Sequence, residues 1–229
     1  MKILAIDTST EACSAALLND GEVAQHYQVA PRQHADLILG MCGELLSEAN
    51  IKLSELDAVA FGRGPGAFTG VRIATGVVQG IAFAHNLPVV PISSLAAMAF
   101  AAWHKQGAEH VMTAIDARMD EVYWACYECS SNGVDEVISE QVCPPKQVPL
   151  PENGRWLGVG SGWDTYQEQL SELTVKQLTK SDGLTFPQAK YIAMLAAQSV
   201  EKGEAFPAEK ALPVYLRDNV AKKKAEQRK

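Results

Sequence analysis

The sequence lacks the segments that would place the protein in a membrane or outside the cell. No apolar run approaches the ~20 residues that a membrane-spanning helix needs. The chain passes from Met1-Lys2 directly into a strand pattern, without the longer apolar segment and small-residue cleavage site of a signal peptide. Its five cysteines are an odd number, which agrees with a reducing compartment. We therefore expect a cytoplasmic protein with no membrane contact.

The sequence also has fewer basic than acidic residues. The chain has 20 Lys and Arg against 27 Asp and Glu, a formal net charge of -7, which disfavours broad nonspecific binding of nucleic acid. The exception is the C-terminal tail, whose basic residues are Lys222, Lys223, Lys224, Arg228 and Lys229. Such a tail is most often a solvated chain end, and the alternative is that it touches RNA or an acidic partner.

Motifs for metal binding and nucleophilic catalysis are missing as well. Cys126 and Cys129 form a single CxxC pair without a second pair, and in a strand two residues three apart point to opposite faces. The five histidines show neither HxxxH nor HExxH spacing, and no serine lies in a G-x-S-x-G turn. We therefore predict no metal site and no catalytic residue.

What the chain does have is a doubled pattern of strands. A strand predicted over 2–6 ends on Asp7 and is followed by a strand, a glycine-containing turn and another strand. A strand predicted over 111–115 ends on Asp116 and is followed by the same order of elements. The tripeptide Ala-Ile-Asp closes both leading strands. The pattern predicts two structurally related halves.

This doubling resembles the ribonuclease-H-like duplicated fold of actin, the hexokinases and the Hsp70 chaperones, the ASKHA class. We therefore expect an α/β fold with two related lobes, each a mixed sheet flanked by helices. The N-terminal lobe is predicted over 1–105, and a smaller C-terminal lobe with the basic tail over 106–229. After its first three predicted strands, the second lobe is less regular, and the pattern there predicts a strand over 156–159 and a helix over 187–200.

The strand-end aspartates are candidates for phosphate loops. In the ribonuclease-H-like fold, each phosphate loop is a strand-end aspartate followed by glycine and a small hydroxyl residue. Here Asp7 is followed by Thr8 and Ser9, and Asp116 by Ala117, so neither loop has the glycine. A side chain there limits how closely the backbone can wrap a phosphate. We interpret Asp7, Thr8, Ser9 and Asp116 as degenerate phosphate loops with turn and cap chemistry, and a retained ATP–Mg²⁺ site is the alternative.

The most distinctive stretch is GRGPGAFTGVRIATG at 62–76, which a strand enters and a helix leaves. Thr69 is predicted to cap that helix, whose free N–H groups could bind an anion near Arg63 and Arg72. The stretch has neither the lysine of a Walker A motif nor the setting of a dinucleotide fingerprint. We interpret it as a structural loop, and occasional anion binding stays open.

Two predicted helices of the N-terminal lobe have surfaces suited to contact. The helix over 69–85 is apolar nearly all round, which predicts burial, and Gly76, Gly80 and Ala84 form a ridge that lets another backbone approach. The helix over 34–48 has an apolar stripe that could face a partner or the chain's own sheet. The stripe consists of Leu37, Ile38, Met41 and Leu45.

Four segments resemble the bacterial TsaB family, formerly called YeaZ. They are AIDTSTEACSAAL at 5–17, GRGPGAFTGVRIATG at 62–76, AIDARMDEVYWA at 114–125 and PVYLRDNVAKK at 213–223. These segments spread along nearly the whole chain, and the glycine-rich one is the most specific. Its signature residues are Gly64, Pro65, Gly66, Phe68, Thr69, Gly70 and Arg72.

The resemblance implies a role in the threonylcarbamoyl modification of the tRNA adenosine next to the anticodon. In this family the protein is a non-catalytic scaffold for the catalytic paralogue TsaD and the ATPase TsaE. tRNA is then contacted only through the complex, and no cofactor is tightly bound, although ATP or ADP could bind weakly or be shared between subunits. Two other classes stay open: an ATPase or small-molecule kinase of the same superfamily, and a glycoprotease-like peptidase.

The resemblance also implies a homodimer when the protein is alone, formed through the helices over 34–48 and 69–85. TsaD is expected to use much the same surface, so added partner should displace the homodimer. Carried onto this sequence, the contact residues are His34, Leu37, Ile38, Met41, Leu45, Val71, Ala74, Thr75 and Val78.

Overall fold

A computed structural model describes residues 1–217 as two five-stranded mixed sheets with helices packed between and around them. The first sheet comes from the N-terminal half of the chain, together with three helices. These elements are β1 (Lys2–Asp7), β2 (Ala12–Asn19), β3 (Glu22–Val29), α1 (His34–Glu48), β4 (Ala58–Gly62), α2 (Phe68–His85), β5 (Val89–Ile92) and α3 (Ser94–Gln106).

The first sheet has the strand order β3-β2-β1-β4-β5. β1 pairs antiparallel with β2 and parallel with β4. A tight turn with positive φ at Asp20 and Gly21 joins β2 to β3, as the sequence predicts. β1 is an almost unbroken apolar run because both faces are covered: Leu4 and Ile6 pack under α1 and α2, and the alternate residues face the other side.

The second sheet repeats this arrangement, with the strand order β10-β9-β6-β7-β8. β6 pairs antiparallel with β7 and parallel with β9, as β1 does with its neighbours. The elements are β6 (His110–Arg118), β7 (Glu121–Ser130), β8 (Gly133–Cys143), β9 (Trp156–Val159), α4 (Ser161–Thr165), α5 (Gln167–Leu173), β10 (Leu178–Asp182) and α6 (Ala189–Glu201). The repeated topology confirms the predicted duplicated ribonuclease-H-like fold.

Two helices fill the space between the sheets. Phe100 of α3 packs with the first sheet, whereas Met98 of the same helix packs with β6, β7 and β9. α6 belongs to the C-terminal half of the sequence, yet it lies on the first sheet, where Ile192 is fully buried. The backbone N–H of Ala189 donates to the hydroxyl of Ser14 at 2.9 Å. The predicted division of the chain near the end of α3 stays a prediction, and the packing of α6 crosses it.

α2 differs from its sequence-based prediction in two ways. It begins at Phe68 after the cap residue Ala67, so the predicted cap at Thr69 is wrong. The reason is that the Ala67 N–H is already tied to the carbonyl of Ser9 at 2.7 Å, which sets the helix direction before Thr69. The predicted burial all round is also wrong, because one face, including Gly76, is exposed.

In the less regular part of the C-terminal half, two elements were predicted and three were not. The helix predicted over 187–200 is α6, observed over Ala189–Glu201, and the strand predicted over 156–159 is β9. α4, α5 and β10 lie in the stretch that carried no prediction. Within residues 1–217, no helix combines the length and the apolarity needed to cross a membrane.

Candidate functional site

Asp7, at the end of β1, is completely buried. Its Oδ1 accepts hydrogen bonds from the backbone N–H and the hydroxyl of Ser9, both at 2.9 Å, and its Oδ2 accepts one from the Ser94 hydroxyl at 3.3 Å. Burial raises the pKa of this carboxyl to about 6, against the opposing effect of these hydrogen bonds. A Cβ on Gly62 would collide with Asp7 Oδ2, so glycine is required there. The carboxyl has the turn chemistry predicted for it and no open side.

The glycine loop, residues 62–70, packs directly on the loop that follows β1. A Cβ on Gly66 would collide with the carbonyl oxygen of Ser9, and one on Gly70 with that of Thr8. The Thr8 hydroxyl also donates to the Gly70 carbonyl at 2.7 Å. These glycines permit close approach of two backbones. The loop therefore contacts the protein's own first strand-end loop.

Asp116, two residues before the end of β6, is held by Arg118. Oδ1 accepts from the Arg118 backbone N–H at 2.8 Å, and Oδ2 accepts from the guanidinium at 2.6 Å. The φ angle is positive at Arg118 and at the two residues after it, 61°, 58° and 58°, which makes the hairpin tight. Arg118 also pairs with Glu11 of the first lobe at 3.2 Å. Both strand-end aspartates thus have their oxygens engaged within the chain.

A cleft of about 520 Å³ lies between the two strand-end loops, and the segment Val214–Arg217 forms one of its walls. The Val214 N–H donates to the carbonyl of Arg63 at 2.8 Å, so the segment is attached to the first lobe. The Arg217 guanidinium donates to the carbonyl of Ala117 at 3.0 Å, which attaches it to the second. Arg217 was not predicted as a site residue, because nothing local in the sequence marks a contact between residues 100 positions apart.

The two arginines near the glycine loop are engaged in contacts with other side chains. Arg63 pairs with Glu140 of β8 at 3.1 Å, and the Tyr127 hydroxyl donates to the same carboxylate at 3.1 Å. Arg72 has its guanidinium carbon 3.6 Å from the ring centroid of Phe68. Its Nε donates to the Tyr215 hydroxyl at 2.7 Å. Anion binding at the start of α2 stays a prediction.

The predicted partner residues of α1 and α2 lie mostly inside the first lobe. Ile38, Leu45, Ala74 and Val78 are at most 1% exposed and share one core cluster with the strands of the first sheet. Four more of the predicted residues are also buried: His34, Met41, Val71 and Thr75. Leu37 is half-buried. A helix on a sheet buries its apolar stripe there, which was the alternative interpretation. Partner contact through these helices stays a prediction, and it would have to use their other faces.

The outer face of α2, formed by Arg72, Gly76, Gly80 and Phe83, is exposed. A Cβ on Gly76 or on Gly80 would meet no atom within 4 Å, so the ridge predicted from the sequence lies open. Phe83 is 76% exposed, and on α1 the side chain of Leu39 is 59% exposed. The sequence analysis missed both apolar residues. Their positions, one step off the buried stripe of each helix, are the signal that could have found them.

Metal binding and thiol chemistry have little basis in the structure. Among residues 1–217, no group of three His, Cys, Asp or Glu is placed to hold a metal ion. Cys126 and Cys129 belong to core clusters on opposite sides of β7, as their spacing predicts. Burial raises the pKa of each thiol to about 12. A thiol with such a pKa is a poor nucleophile at neutral pH.

The chain is similar to known proteins along almost its whole length. A family model described as TsaD, tRNA N6-adenosine threonylcarbamoyltransferase, matches residues 23–225. The tRNA threonylcarbamoyladenosine biosynthesis protein TsaB of Escherichia coli is 43% identical over 98% of both chains. The chain belongs to the TsaB family. This confirms the resemblance seen in the four sequence segments.

Other members of the TsaB family support the assignment. The Haemophilus influenzae TsaB protein is 44% identical, over 98% of this chain and 97% of that protein. A solved structure of YeaZ from Pseudomonas aeruginosa is 50% identical, with a TM-score of 0.89 over 94% of this chain and 99% of that one. The likeness to TsaB-family proteins therefore extends over both sheets and both strand-end loops.

Proposed function

We propose that the protein is a non-catalytic scaffold subunit required for threonylcarbamoyl transfer to the tRNA adenosine next to the anticodon. In this proposal it binds a TsaD-type catalytic paralogue and a TsaE-type ATPase. The observation that carries the proposal is the open outer face of α2, where Gly76 and Gly80 have no neighbour within 4 Å of a Cβ. The names of the relatives supply the pathway: tRNA threonylcarbamoyladenosine biosynthesis.

The outer face of α2 is suited to another helix or strand. Glycines on a helix surface let a partner backbone approach closely, and the exposed Phe83 offers a large apolar anchor at the far end of the ridge. Exposed apolar surface of this kind often marks a contact site. Leu39 on the outside of α1 is a second exposed apolar side chain of the first lobe. The buried stripe of each helix then positions the contact surface without touching the partner.

The engagement of both strand-end aspartates supports a role without catalysis. Coordination of a nucleotide-bound Mg²⁺ by Asp7 would require removal of its hydrogen bonds to Ser9 and Ser94 and displacement of Gly62. An ATPase or small-molecule kinase needs that aspartate to be open, and no observation favours such an activity. A glycoprotease-like peptidase needs a nucleophile or a metal, and the described residues 1–217 offer no metal cluster.

The remaining parts of the proposal concern assembly. Alone, the protein forms a homodimer through the surface that the paralogue uses, and it contacts tRNA only through the complex. No cofactor is tightly bound, and ATP or ADP binds weakly or is shared between subunits. The protein acts in the cytoplasm. The basic tail from Lys222 to Lys229, for which RNA contact was left open, lies outside the described residues.

The role in tRNA is tested in a strain that lacks the gene. Nucleoside mass spectrometry of its tRNA should show a loss of threonylcarbamoyladenosine. Expression of the wild-type chain should restore the modification. A normal level in the deletion strain would contradict the proposed function.

The surface is tested with Gly76→Leu. A leucine there has free space around its Cβ, so the isolated chain should fold normally, but the side chain would block close approach of a partner. Size-exclusion chromatography with the TsaD-type paralogue should show loss of the complex, and circular dichroism should show an unchanged fold. Glu172→Leu, at an exposed position of α5, is the matched control. If Gly76→Leu still forms the full complex, the surface is assigned wrongly. The same holds if the wild-type complex keeps the homodimer contact.

A further inference from the structure

Arg72 is held in one orientation at the protein surface. Its guanidinium carbon lies 3.6 Å from the ring centroid of Phe68 and 5.5 Å from that of Tyr215. The two rings are 5.7 Å apart and tilted by 37°, so they form an aromatic corner. The Arg72 Nε donates to the Tyr215 hydroxyl at 2.7 Å. An exposed arginine is ordinarily mobile, and these contacts remove most of that freedom.

The aromatic corner is itself fixed from both sides. Phe68 is the first residue of α2, and Tyr215 lies in the segment that forms one wall of the cleft. On one side of Tyr215, the Val214 N–H donates to the Arg63 carbonyl at 2.8 Å. On the other side, Arg217 forms an ion pair with Glu121. The orientation of Arg72 is therefore built by residues from three separate parts of the chain.

The corner is nevertheless open to solvent. Phe68 is 51% exposed and Tyr215 is 44% exposed, although a pair of aromatic rings would ordinarily be covered. The structure shows no hydrogen bond or ion pair from the terminal nitrogens of Arg72 to any of residues 1–217. A guanidinium that is held in one orientation, and whose two N–H₂ groups have no partner among the residues that the structure describes, is suited to bidentate contact with a carboxylate.

The surroundings of Arg72 indicate what kind of molecule brings that carboxylate. α2 contains no Asp or Glu, in a chain whose net charge is -7, so Arg72 has no acidic neighbour on its own helix. One turn further along the same face lies Gly76, followed after another turn by Gly80, both open. Arg32, Arg118 and Arg217 line the neighbouring cleft, whereas α2 has no Lys or Arg other than Arg72. An outer face of α2 with small residues beside one cation fits a folded protein better than an RNA backbone, which calls for several cations along its path.

We propose that Arg72, oriented by Phe68 and Tyr215, is the charged anchor of the α2 outer face and receives a carboxylate of the TsaD-type partner. This inference rests on the proposed function, because it takes the outer face of α2 as the partner surface. Preorganisation reduces the conformational cost of binding, so the contact stabilises the complex more than a mobile surface arginine would. Arginine and tyrosine are also among the residues that dominate binding energy at interfaces.

The test measures the dissociation constant of the complex by isothermal titration calorimetry with the purified paralogue. Arg72→Met should weaken binding at least ~30-fold, the size of a strong interface contact. Tyr215→Phe removes only the orienting hydroxyl and should weaken it about three- to tenfold. Arg155→Met, which removes an exposed arginine of the second lobe, is the matched control and should change binding by less than about twofold.

Ionic strength provides a readout that a purely structural role would not change. Binding of the wild type should weaken as salt rises from low to physiological concentration, because dissolved ions screen the attraction between the guanidinium and the carboxylate. Arg72→Met should show a smaller salt dependence. An equal salt dependence in both proteins would overturn the proposed carboxylate contact.

The outcomes separate this inference from the function on which it rests. If the wild type binds no paralogue, or if Gly76→Leu binds normally, the proposed partner surface itself fails. If Gly76→Leu loses binding while Arg72→Met binds like the wild type, only the anchor is wrong. A chain that ends at Arg217 should show the same Arg72→Met effect, and loss of the effect would mean that Arg72 acts through the chain's own tail.

Two further measurements test whether a second copy of the chain, or tRNA, binds the outer face of α2 instead of the paralogue. Analytical ultracentrifugation of the isolated protein reports on a second copy of the chain, and filter binding with tRNA reports on RNA. An Arg72→Met change that abolishes homodimer or tRNA binding but leaves the affinity for the paralogue intact would overturn the inference.

Discussion

Two glycines of α2, six positions apart, should respond in opposite ways to the same substitution. Gly70 and Gly76 are both within the helix and neither has a positive φ, so alanine suits both backbone conformations. Their surroundings differ. A Cβ on Gly70 would collide with the backbone carbonyl of Thr8, whereas a Cβ on Gly76 would meet no atom within 4 Å.

The magnitudes follow from these surroundings. Gly76→Ala should stabilise the chain by about 1 kcal/mol, the difference in helix propensity between the two residues. Gly70→Ala gains the same propensity but must separate two backbones, and forced overpacking typically costs about 1–3 kcal/mol. It also strains the hydrogen bond of 2.7 Å from the Thr8 hydroxyl to the Gly70 carbonyl, and a buried polar group left without a partner costs about 1–3 kcal/mol. We expect a net loss of about 3 kcal/mol for Gly70→Ala, by the overpacking and hydrogen-bond magnitudes together.

Urea unfolding of the isolated protein, followed by tryptophan fluorescence, measures both changes. It should be done at two protein concentrations, so that any contribution of a homodimer appears as a dependence on concentration. The sign for Gly76→Ala must be stabilising and the sign for Gly70→Ala destabilising. Equal effects of the two substitutions would refute the view that the glycine loop requires glycine because two backbones meet.

Two further predictions concern buried charge. The pKa of Asp7 is raised from 3.8 to about 6, so the folded state binds the proton more tightly than the unfolded state, and stability falls as pH rises from about 4 to 6. This shift in the pKa of Asp7 corresponds to roughly 3 kcal/mol of unfolding free energy. Asp7→Asn should therefore flatten this part of the pH profile of urea unfolding. An unchanged slope would contradict the assignment to Asp7. Arg63→Met leaves the Glu140 side chain, only 7% exposed, without its cation, and should cost about 3 kcal/mol by chemical denaturation. Adding Glu140→Leu to Arg63→Met should recover part of that loss. The control Arg155→Met should cost less than about 1 kcal/mol. If Arg63→Met costs no more than this control, the ion pair between the lobes contributes little to stability.

The doubled architecture could be predicted because its signals are local and repeat. A nearly continuous apolar run marks each leading strand, and the Ala-Ile-Asp tripeptide closes β1 and lies two residues before the end of β6. The turn at Asp20–Gly21 is marked by its own residues, which tolerate positive φ. The family assignment also followed from contiguous segments. Each of these conclusions needed only residues that are close together in the chain.

The short elements of the second lobe could not be predicted in this way. α4 has five residues and α5 has seven, which is too short for a helical period to show. Their positions depend on tertiary contacts instead. Trp163 of α4 is 1% exposed and donates its ring N–H to the carbonyl of Met112 at 3.1 Å. Leu170 of α5 lies fully buried in the same core cluster.

The candidate site shows the same division. The sequence pointed to the glycine loop and to α1 and α2, and it predicted that the ridge with Gly76 would permit close contact. It could not decide which faces of the helices lie on the sheet, so the stripe with Ile38 was left open between a partner and the chain's own sheet. In the structure that side chain is 0% exposed, in the core of the first lobe. Leu39, the next residue, is on the open side and was missed.

By itself, the sequence determined the doubled succession of strands, the family and the stretch of chain that is most distinctive. Only the tertiary structure decided that α6 lies on the first sheet, that Arg63 reaches Glu140, and that Tyr215 returns to orient Arg72. The physical reason is the distance along the chain. Secondary structure depends on periodic burial and local backbone preference, whereas these contacts join residues whose separation carries no pattern until the two sheets pack together.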